Sequence, residues 1–537
     1  MAGPHLSPLT WLTAALPLAI ILILMVQFRW GGARAGPVGA VSAALAAVLV
    51  FGAGPGVLGV ALWKGVILSL HVLYIIWPAL LLYHVVEGSG AIRSIGGGVA
   101  ALTEDHILQL LILGFAFSSF LQGVAGFGVP VAVVAPLLIG LGFPPVQATA
   151  VPLVGHAWAV TMGDLASSFQ ALVAVTDLPA RALGLWTAVF LGIACLLTGF
   201  CVAHLHAGFR PIRRCLGAIV LLSVSMTVTQ LVLAYLESWI LASFCAGMVG
   251  LTLGLVLARL SHGGRPTVMG LLPSWPPPWG RRTPHREVAA EFKKGKMGFH
   301  LAFSAYYGLV VIVTAATLIP PLHRILNALR PTFYFPQTVT ASGWVTEASH
   351  YALSLFGHPG AYLLYTAAFA WGMYRVTGHW ETGEWRVVVR RTVEEGIPTS
   401  IGILFMVVMA MVMSYSGMTF LLARGTIAVA GGAYPVLSPF VGLLGCFMTG
   451  SNTNSNVLFG ALQRDIALLL GKNPAVMAAL QTTGGALGSM VAPAKVLVAC
   501  ATAGLQGKEG EVMGVTMRYC LPLTLLIGIL GWVILSL

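Results

Sequence analysis

The strongest constraint on this chain is the recurrence, along its whole length, of apolar runs long enough to cross a bilayer: PLAIILILMVQ, LWTAVFLGIACLLTGF, LVVIVTAATLI and LPLTLLIGILGWVILSL. A hydrocarbon core of ~30 Å takes about 20 helical residues, and each unsatisfied backbone amide facing lipid costs several kcal/mol. Of 537 residues, 58% are hydrophobic and 8% charged, and the mean hydropathy is +0.91, far outside the soluble globular range. The sequence predicts an all-α polytopic membrane protein with about 12–14 membrane segments, some broken or re-entrant.

The net charge of +12 could suggest nucleic acid, but the cations sit in short connections between apolar runs: FRPIRR (209–214), RVVVRR (386–391) and KKGK (293–296). That is the positive-inside pattern of a chain whose partner is the lipid bilayer, with no nucleic acid expected. The seven cysteines lie in or beside apolar runs without metal-site spacing and read as small core residues. The N-terminus lacks a basic leader region, and Arg29 and Arg34 follow the first apolar stretch, so it reads as an uncleaved span starting outside.

Residues 259–297 are polar, proline-rich and basic (PSWPPPWGRRTPHREVAAEFKKGK) and read as a cytoplasmic linker between a first half, 1–258, and a second half, 298–537. The halves resemble each other. Ser89 of SGAIRSI pairs with Ser416 of SGMTFLL, and Phe120 of FLQG with Phe447 of FMTG, at a spacing of 327 in both cases (416 − 89 and 447 − 120). LGFPPV (141–146) then meets LGKNPAV (470–476), and VGHAWAVTMGD (154–164) meets TGGALGSMVAP (483–493). A register kept over some 70 residues marks an internal repeat, with cores at about 69–205 and about 397–537. The helix before Ser89 runs toward Arg93, on the inside, whereas the helix before Ser416 starts just after RVVVRR and runs out. Two inverted-topology repeats result, the plan of secondary transporters, whose site lies near the midplane at discontinuous helices.

Against that background TGSNTNSN (449–456) stands out: six Ser, Thr and Asn residues within eight, flanked by oil. Irregular backbone at membrane depth is tolerated where it lines a cavity or is buried in protein. Ser451, Asn452, Thr453, Asn454, Ser455 and Asn456, with the helix restarting at Val457, could hold an anion on N–H groups and hydroxyls, or a cation such as sodium on the oxygens of Ser451, Asn452 and Thr453. Small-residue packing with polar interhelical contacts is the plainer alternative. The first-half partner GVAGFGVP (123–130), after Gln122, supplies Gly123, Gly126 and Gly128. Downstream, QTTGGALGSMVAPAK (481–495) adds Thr482, Thr483 and the intramembrane Lys495, whose rival reading is snorkelling from a helix end. Its first-half counterpart contributes His156 and Asp164; with Glu347, close to His350, these are the proton-coupling candidates. Arg464 and Asp465, adjacent and so not facing each other on a helix, suggest a loop or interfacial position. No HExxH, GxSxG or Walker A pattern occurs, and an enzyme is not expected.

FLQGVAGFGVPVAV, PLLIGLGFPPVQA, VTEASHYA, SYSG, LLGCFMTGSNTNSNVLFGALQ and QTTGGALGSMVAPAKVLVACATAGLQGKE resemble, in order, the signature blocks of the bacterial lactate permease family. The resemblance implies an inner-membrane carrier for L-lactate, D-lactate or glycolate, usually by proton symport, with no cofactor beyond a coupling ion, H+ or Na+. The wider grouping implies a transport domain moving against a scaffold and a Ser-Asn-Thr motif used by its sodium-coupled members. The partner implied is a small organic anion, and a homo-oligomer is compatible with the sequence. Other readings are a carrier for a different organic anion with sodium coupling, or an uncoupled channel or sensor of the same architecture. The chain departs from the pattern in four places: Gln122 and Asn452 replace acids, Lys495 replaces a glutamine, and GHAW (155–158) replaces an Asn-Thr-Ala-Pro block.

Overall fold

The computed structural model describes residues 5–28, 30–92, 94–95, 105–124, 126, 128–261, 297–381 and 383–537. The expected linker, apart from its ends, and the orientation markers Arg29 and Arg93 lie outside the described residues. Twelve helical stretches among the described residues are long and apolar enough to cross a membrane, in line with the expected number.

The first half runs α1 (Pro8–Val26), α2 (Gly32–Leu49), α3 (Pro55–Gly88), α4 (His106–Val124), α5 (Val129–Gly140), α6 (Pro145–Gly155), α7 (Ser167–Thr176), α8 (Ala180–Ala207), α9 (Phe209–Tyr235) and α10 (Trp239–Ser261). After residue 296 come α11 (Ser304–Leu318), α12 (Pro320–Leu326), strands β1 (Thr332–Phe335), β2 (Thr338–Val339), β3 (Val345–Thr346) and β4 (Ser349–Ala352), then α13 (Pro359–Val376) and α14 (Glu384–Tyr415). The second half closes with α15 (Met418–Ala430), α16 (Tyr434–Thr449), α17 (Asn452–Leu469), α18 (Pro474–Gly488), α19 (Pro493–Thr502) and α20 (Glu509–Ser536).

The strands are the departure from an all-helical chain. β1 pairs antiparallel with β4, and β2 with β3, around the VTEASHYA stretch. Thr332, Phe333, Tyr334 and Phe335 are β-branched or aromatic and meet Ala352 to Ser349 in register.

The order of elements from α3 to α8 recurs from α14 to α20; α15 corresponds in sequence to the helical residues 91–92 and 94–95, beyond which the chain lies outside the described residues as far as 104. In each, a long helix is followed by a helical hairpin, α4–α5 or α16–α17, and then by a helix interrupted in its middle, α6–α7 or α18–α19. Local sequence places the interruptions. Gly128 and Gly450 take φ of +88° and +71° at the hairpin tips, a conformation that a Cβ resists. Ser451 then caps α17 by accepting from the Asn454 N–H at 3.4 Å, and Asn473 caps α18 through Ala475 N–H at 2.9 Å. Prolines at the starts of α6, α18 and α19 cost nothing where helix N–H groups have no intrahelical partner.

Packing pairs the two repeats. α3 lies along α14, with a glycine, Gly65, where a Cβ would sit 2.9 Å from the Val408 backbone, and Trp77 donates to Ser400 Oγ at 2.8 Å. Across the centre α17 packs on α7, and its counterpart α5 packs on α19; α8 likewise meets α18, and α20 meets α6. The interrupted helices therefore sit inside a cage made by both halves.

Candidate functional site

The polar stretches singled out in the sequence meet at this centre. Asn452, in the first turn of α17, donates from Nδ2 to Thr161 Oγ1 (3.0 Å) and to the carbonyl of Thr482 (3.3 Å). Thr161 Oγ1 in turn donates to the Thr482 carbonyl at 3.1 Å. Asn456, one turn on, donates to the Ser168 carbonyl (2.8 Å) and to Thr482 Oγ1 (2.9 Å), and Ser168 and Thr453 hydroxyls lie 2.9 Å apart. Every member of this network is buried, and each of these contacts but those to Thr482 from α17 joins the first half to the second.

The carbonyls of Thr482 and Ser168 only accept, which fixes which end of each amide is nitrogen. The Oδ1 atoms of Asn452 and Asn456 are left buried without a hydrogen-bond partner, as are Gln122 Oε1, Ser489 Oγ and His156 Nε2 at the neighbouring interruptions; Asn454, whose Oδ1 is also unpaired, lies toward Gly32 of α2. Buried polar atoms are rarely left unpaired, so a cluster of them at helix interruptions marks a place where a solute or water completes the bonding.

Around this cluster stand the charged groups. Asp164 is the only Asp or Glu among the described residues that is buried; its carboxylate accepts from Ser167 Oγ at 3.0 Å and from the Gly126 N–H at 3.5 Å. Asp164, Leu165 and Ala166 all adopt left-handed backbone, with φ of 48°, 54° and 64°. Lys495, in the first turn of α19, is 6% exposed and lies within electrostatic range of His156, Asp164 and Cys446. His156 is fully buried and shares a hydrogen bond with the Pro152 carbonyl at 2.5 Å. Gly126 faces Gln122 and Asp164: a Cβ there would lie 3.3 Å from Gln122 Nε2 and 3.4 Å from Asp164 Cβ.

The remaining sequence candidates fall elsewhere. Gly123 is where α4 crosses α10, its missing side chain replaced by the Phe244 backbone. Gly128 faces Val498 of α19. Ser455 donates to the Gly442 carbonyl (2.8 Å), tying α17 to α16, and Thr483 donates back to the Ala479 carbonyl of its own helix (2.7 Å). Ser451 serves as the α17 cap. Glu347 is exposed in the β3–β4 turn and lines a separate cavity, away from the central cluster. Arg464 and Asp465 are on helix α17, not a loop, and they do bond, at 2.8 and 3.0 Å; the long guanidinium reaches its neighbour although the Cβ directions diverge.

Thr161 and Ser168 escaped sequence reasoning. Thr161 lies within VGHAWAVTMGD, the counterpart of TGGALGSMVAP, so the repeat alignment was the signal that pointed to it, whereas Ser168 lies four residues past that stretch. Trp158, which donates to Ser119 Oγ at 2.9 Å, holds the same interruption against α4.

Apolar helices on the outside, interrupted helices within and a buried, half-completed polar cluster between two repeats define a membrane transport protein. The chain belongs to the L-lactate permease family, whose profile matches residues 10–537. It is 30% identical to the L-lactate permease of Bacillus subtilis strain 168 over 495 residues, covering 85% of this chain and 83% of that one. It is 28% identical to the glycolate permease GlcA of Escherichia coli K12 over 560 residues, covering 99% and 96%. Among solved structures, the YdaH transporter of Alcanivorax borkumensis aligns over 86% of this chain and 85% of its own at 16% identity, with a TM-score of 0.42. The chain is a multi-pass membrane protein and not an enzyme.

Proposed function

We propose that this protein is a secondary active carrier for small hydroxy-monocarboxylates, L-lactate, D-lactate or glycolate, by ion-coupled symport across the plasma membrane. One observation carries the reading: Lys495 is buried at the start of α19, next to Ala494, which packs on Gly450 at the tip that opens α17, the helix whose Asn452 and Asn456 amide oxygens lack partners. A carboxylate fits the ammonium and the helix N-terminus, while a 2-hydroxyl can donate to an orphaned oxygen. The relatives named L-lactate and glycolate permease support that substrate class.

Proton coupling rests on Asp164, because Gln122 and Asn452 cannot titrate. A carboxylate facing Gly126 across the hairpin tip, with Lys495 in electrostatic range, is placed to take up a proton as the anion arrives. The orphaned oxygens favour a second reading in which Na+ occupies the cluster at Ser451, Asn452 and Thr453 and drives transport instead. Uptake of labelled L-lactate, D-lactate and glycolate into proteoliposomes, under separately imposed proton and sodium gradients, tests both. Accumulation above the outside concentration supports a carrier, and mere equilibration would leave a channel.

A further inference from the structure

A second charged cavity, of about 240 Å³, opens beside Lys64, Asp177, Glu347, Ser349, Tyr415 and Arg464. It lies at the C-terminal ends of α7, α14 and α17, roofed by the β3–β4 turn. α8 starts beside Asp177 and ends at the basic FRPIRR, so the cavity faces the side opposite that cytoplasmic connection, the outer face.

Its two cations differ. Arg464 is anchored at three points: its Nε and Nη2 bond Asp465 at 3.0 and 2.8 Å, and its Nη1 donates to the Thr176 carbonyl at 3.0 Å. Lys64 is loosely held. It is only 7% exposed, yet its ammonium has three protons for two contacts, Asp177 Oδ2 at 3.4 Å and Ser349 Oγ at 3.1 Å. The Asp177 side chain is 57% exposed, so water competes for that carboxylate. The Lys64 ammonium lies 5.8 Å from the centre of the Tyr415 ring. Tyr415 is 2% exposed, and its hydroxyl, like that of Thr346, is buried with no hydrogen-bond partner. A buried, under-coordinated ammonium next to unpaired hydroxyls calls for an anion with oxygens of its own.

We propose that this cavity is a second binding site for a small hydroxy-carboxylate, the same class of anion proposed for the centre, and that Lys64 there exchanges Asp177 for the arriving carboxylate. The proposal rests on the transport reading only for the identity of the anion. In the loaded site Lys64 and the Tyr415 hydroxyl hold the carboxylate, and Thr346 or Ser349 meets the hydroxyl. Glu347, exposed at the rim, stays solvated. Asp177, released, frees the end of α7 from α3.

The cavity lies along the same helix pair as the central cluster. α7 and α17 run side by side from the Ser168–Thr453 contact to the Thr176–Arg464 contact. Eight residues of α7 separate these points, about 12 Å at the helical rise. The cavity is therefore one short step from the central cluster.

The test uses the full chain carrying Asn452→Leu, which disables the central site, purified and titrated with L-lactate and with glycolate. One anion bound per chain is expected, weakened about fivefold or more by adding Tyr415→Phe, which keeps the ring and removes only the hydroxyl. Adding Asp177→Asn, which removes the competitor, should tighten it by about threefold. Opposite shifts from these two changes are not what loss of folding gives. No binding to the Asn452→Leu chain, or binding indifferent to both changes, would overturn the proposal. If the unmodified chain binds and responds this way but accumulates neither anion in proteoliposomes, the transport reading fails and the outer site stands.

Discussion

The two interrupted helices occupy equivalent places in the repeat and are built by different means. In α18–α19 the chain pauses over residues 489–492 with ordinary backbone: Ala492, which caps α19, has φ −61° and ψ 118°. The chemistry there is carried by side chains, Thr482 before the break and Lys495 after it. In α6–α7 the break holds three consecutive non-glycine residues, Asp164 to Ala166, in left-handed conformation, each costing of order 1–3 kcal/mol. The hydrogen bonds Ala166 N–H to Gly163 O (2.9 Å) and Phe169 N–H to Thr161 O (3.1 Å) hold them in place. A repeat can thus keep its topology while one copy stores strain and an acid and the other supplies cation and amides. On the proposed function, this division would have the second half bind the anion and the first couple it.

The largest effect expected is at the hairpin tips. Asn452→Leu removes the donor to Thr161 and Thr482, and Gly126→Leu drives a side chain into Gln122 and Asp164. Each should abolish uptake, by about a hundredfold or more, while membrane insertion assayed by protease protection is kept. Near-normal uptake by either would remove its tip from the site. Next, Lys495→Gln should weaken substrate affinity by about tenfold or more, since a charge-assisted hydrogen bond is worth roughly 1.5–3 kcal/mol, and Lys495→Arg should restore only part. An unchanged Michaelis constant would move the anion site out of the second half.

Asp164→Asn should leave substrate exchange within about threefold while abolishing acceleration by an inward proton gradient. Retained acceleration would break the assignment of coupling to the first half. The smallest effect contrasts the breaks directly. Ala166→Gly relieves a left-handed residue and Ala492→Gly loosens an ordinary one; both positions are fully buried. Thermal unfolding in detergent should place the first variant about 1 kcal/mol more stable than the second. Equal shifts would mean that the first break stores no strain.

Much of this was legible in the sequence, and what was not has physical causes. Apolar run length gives the spans because lipid admits few alternatives, and the 327-residue register gives the paired breaks. Asn452, Asn456, Thr482, Asp164 and Lys495 were found because polar groups in oil are conspicuous. Ser455 and Thr483 were equally conspicuous, yet they bond helix carbonyls; composition does not tell which way a hydroxyl points. Glu347 went to the outer cavity because a lone acid beside a histidine reads the same in an exposed turn as in a buried relay. Lys64 was missed although a lone lysine within the 34 residues of α3 is the very signal that singled out Lys495.

The hydrogen bonds that cross between the repeats also set a schedule for biosynthesis. Thr161 waits for Thr482, 321 residues downstream, and Ser168 for Thr453, 285 downstream. At a synthesis rate of about 5–20 residues per second, Thr161 spends roughly 15–65 s in or near the membrane before its partner exists. A nascent first half therefore carries polar groups at membrane depth whose native partners do not yet exist, and until the second half arrives they must turn to local carbonyls or water.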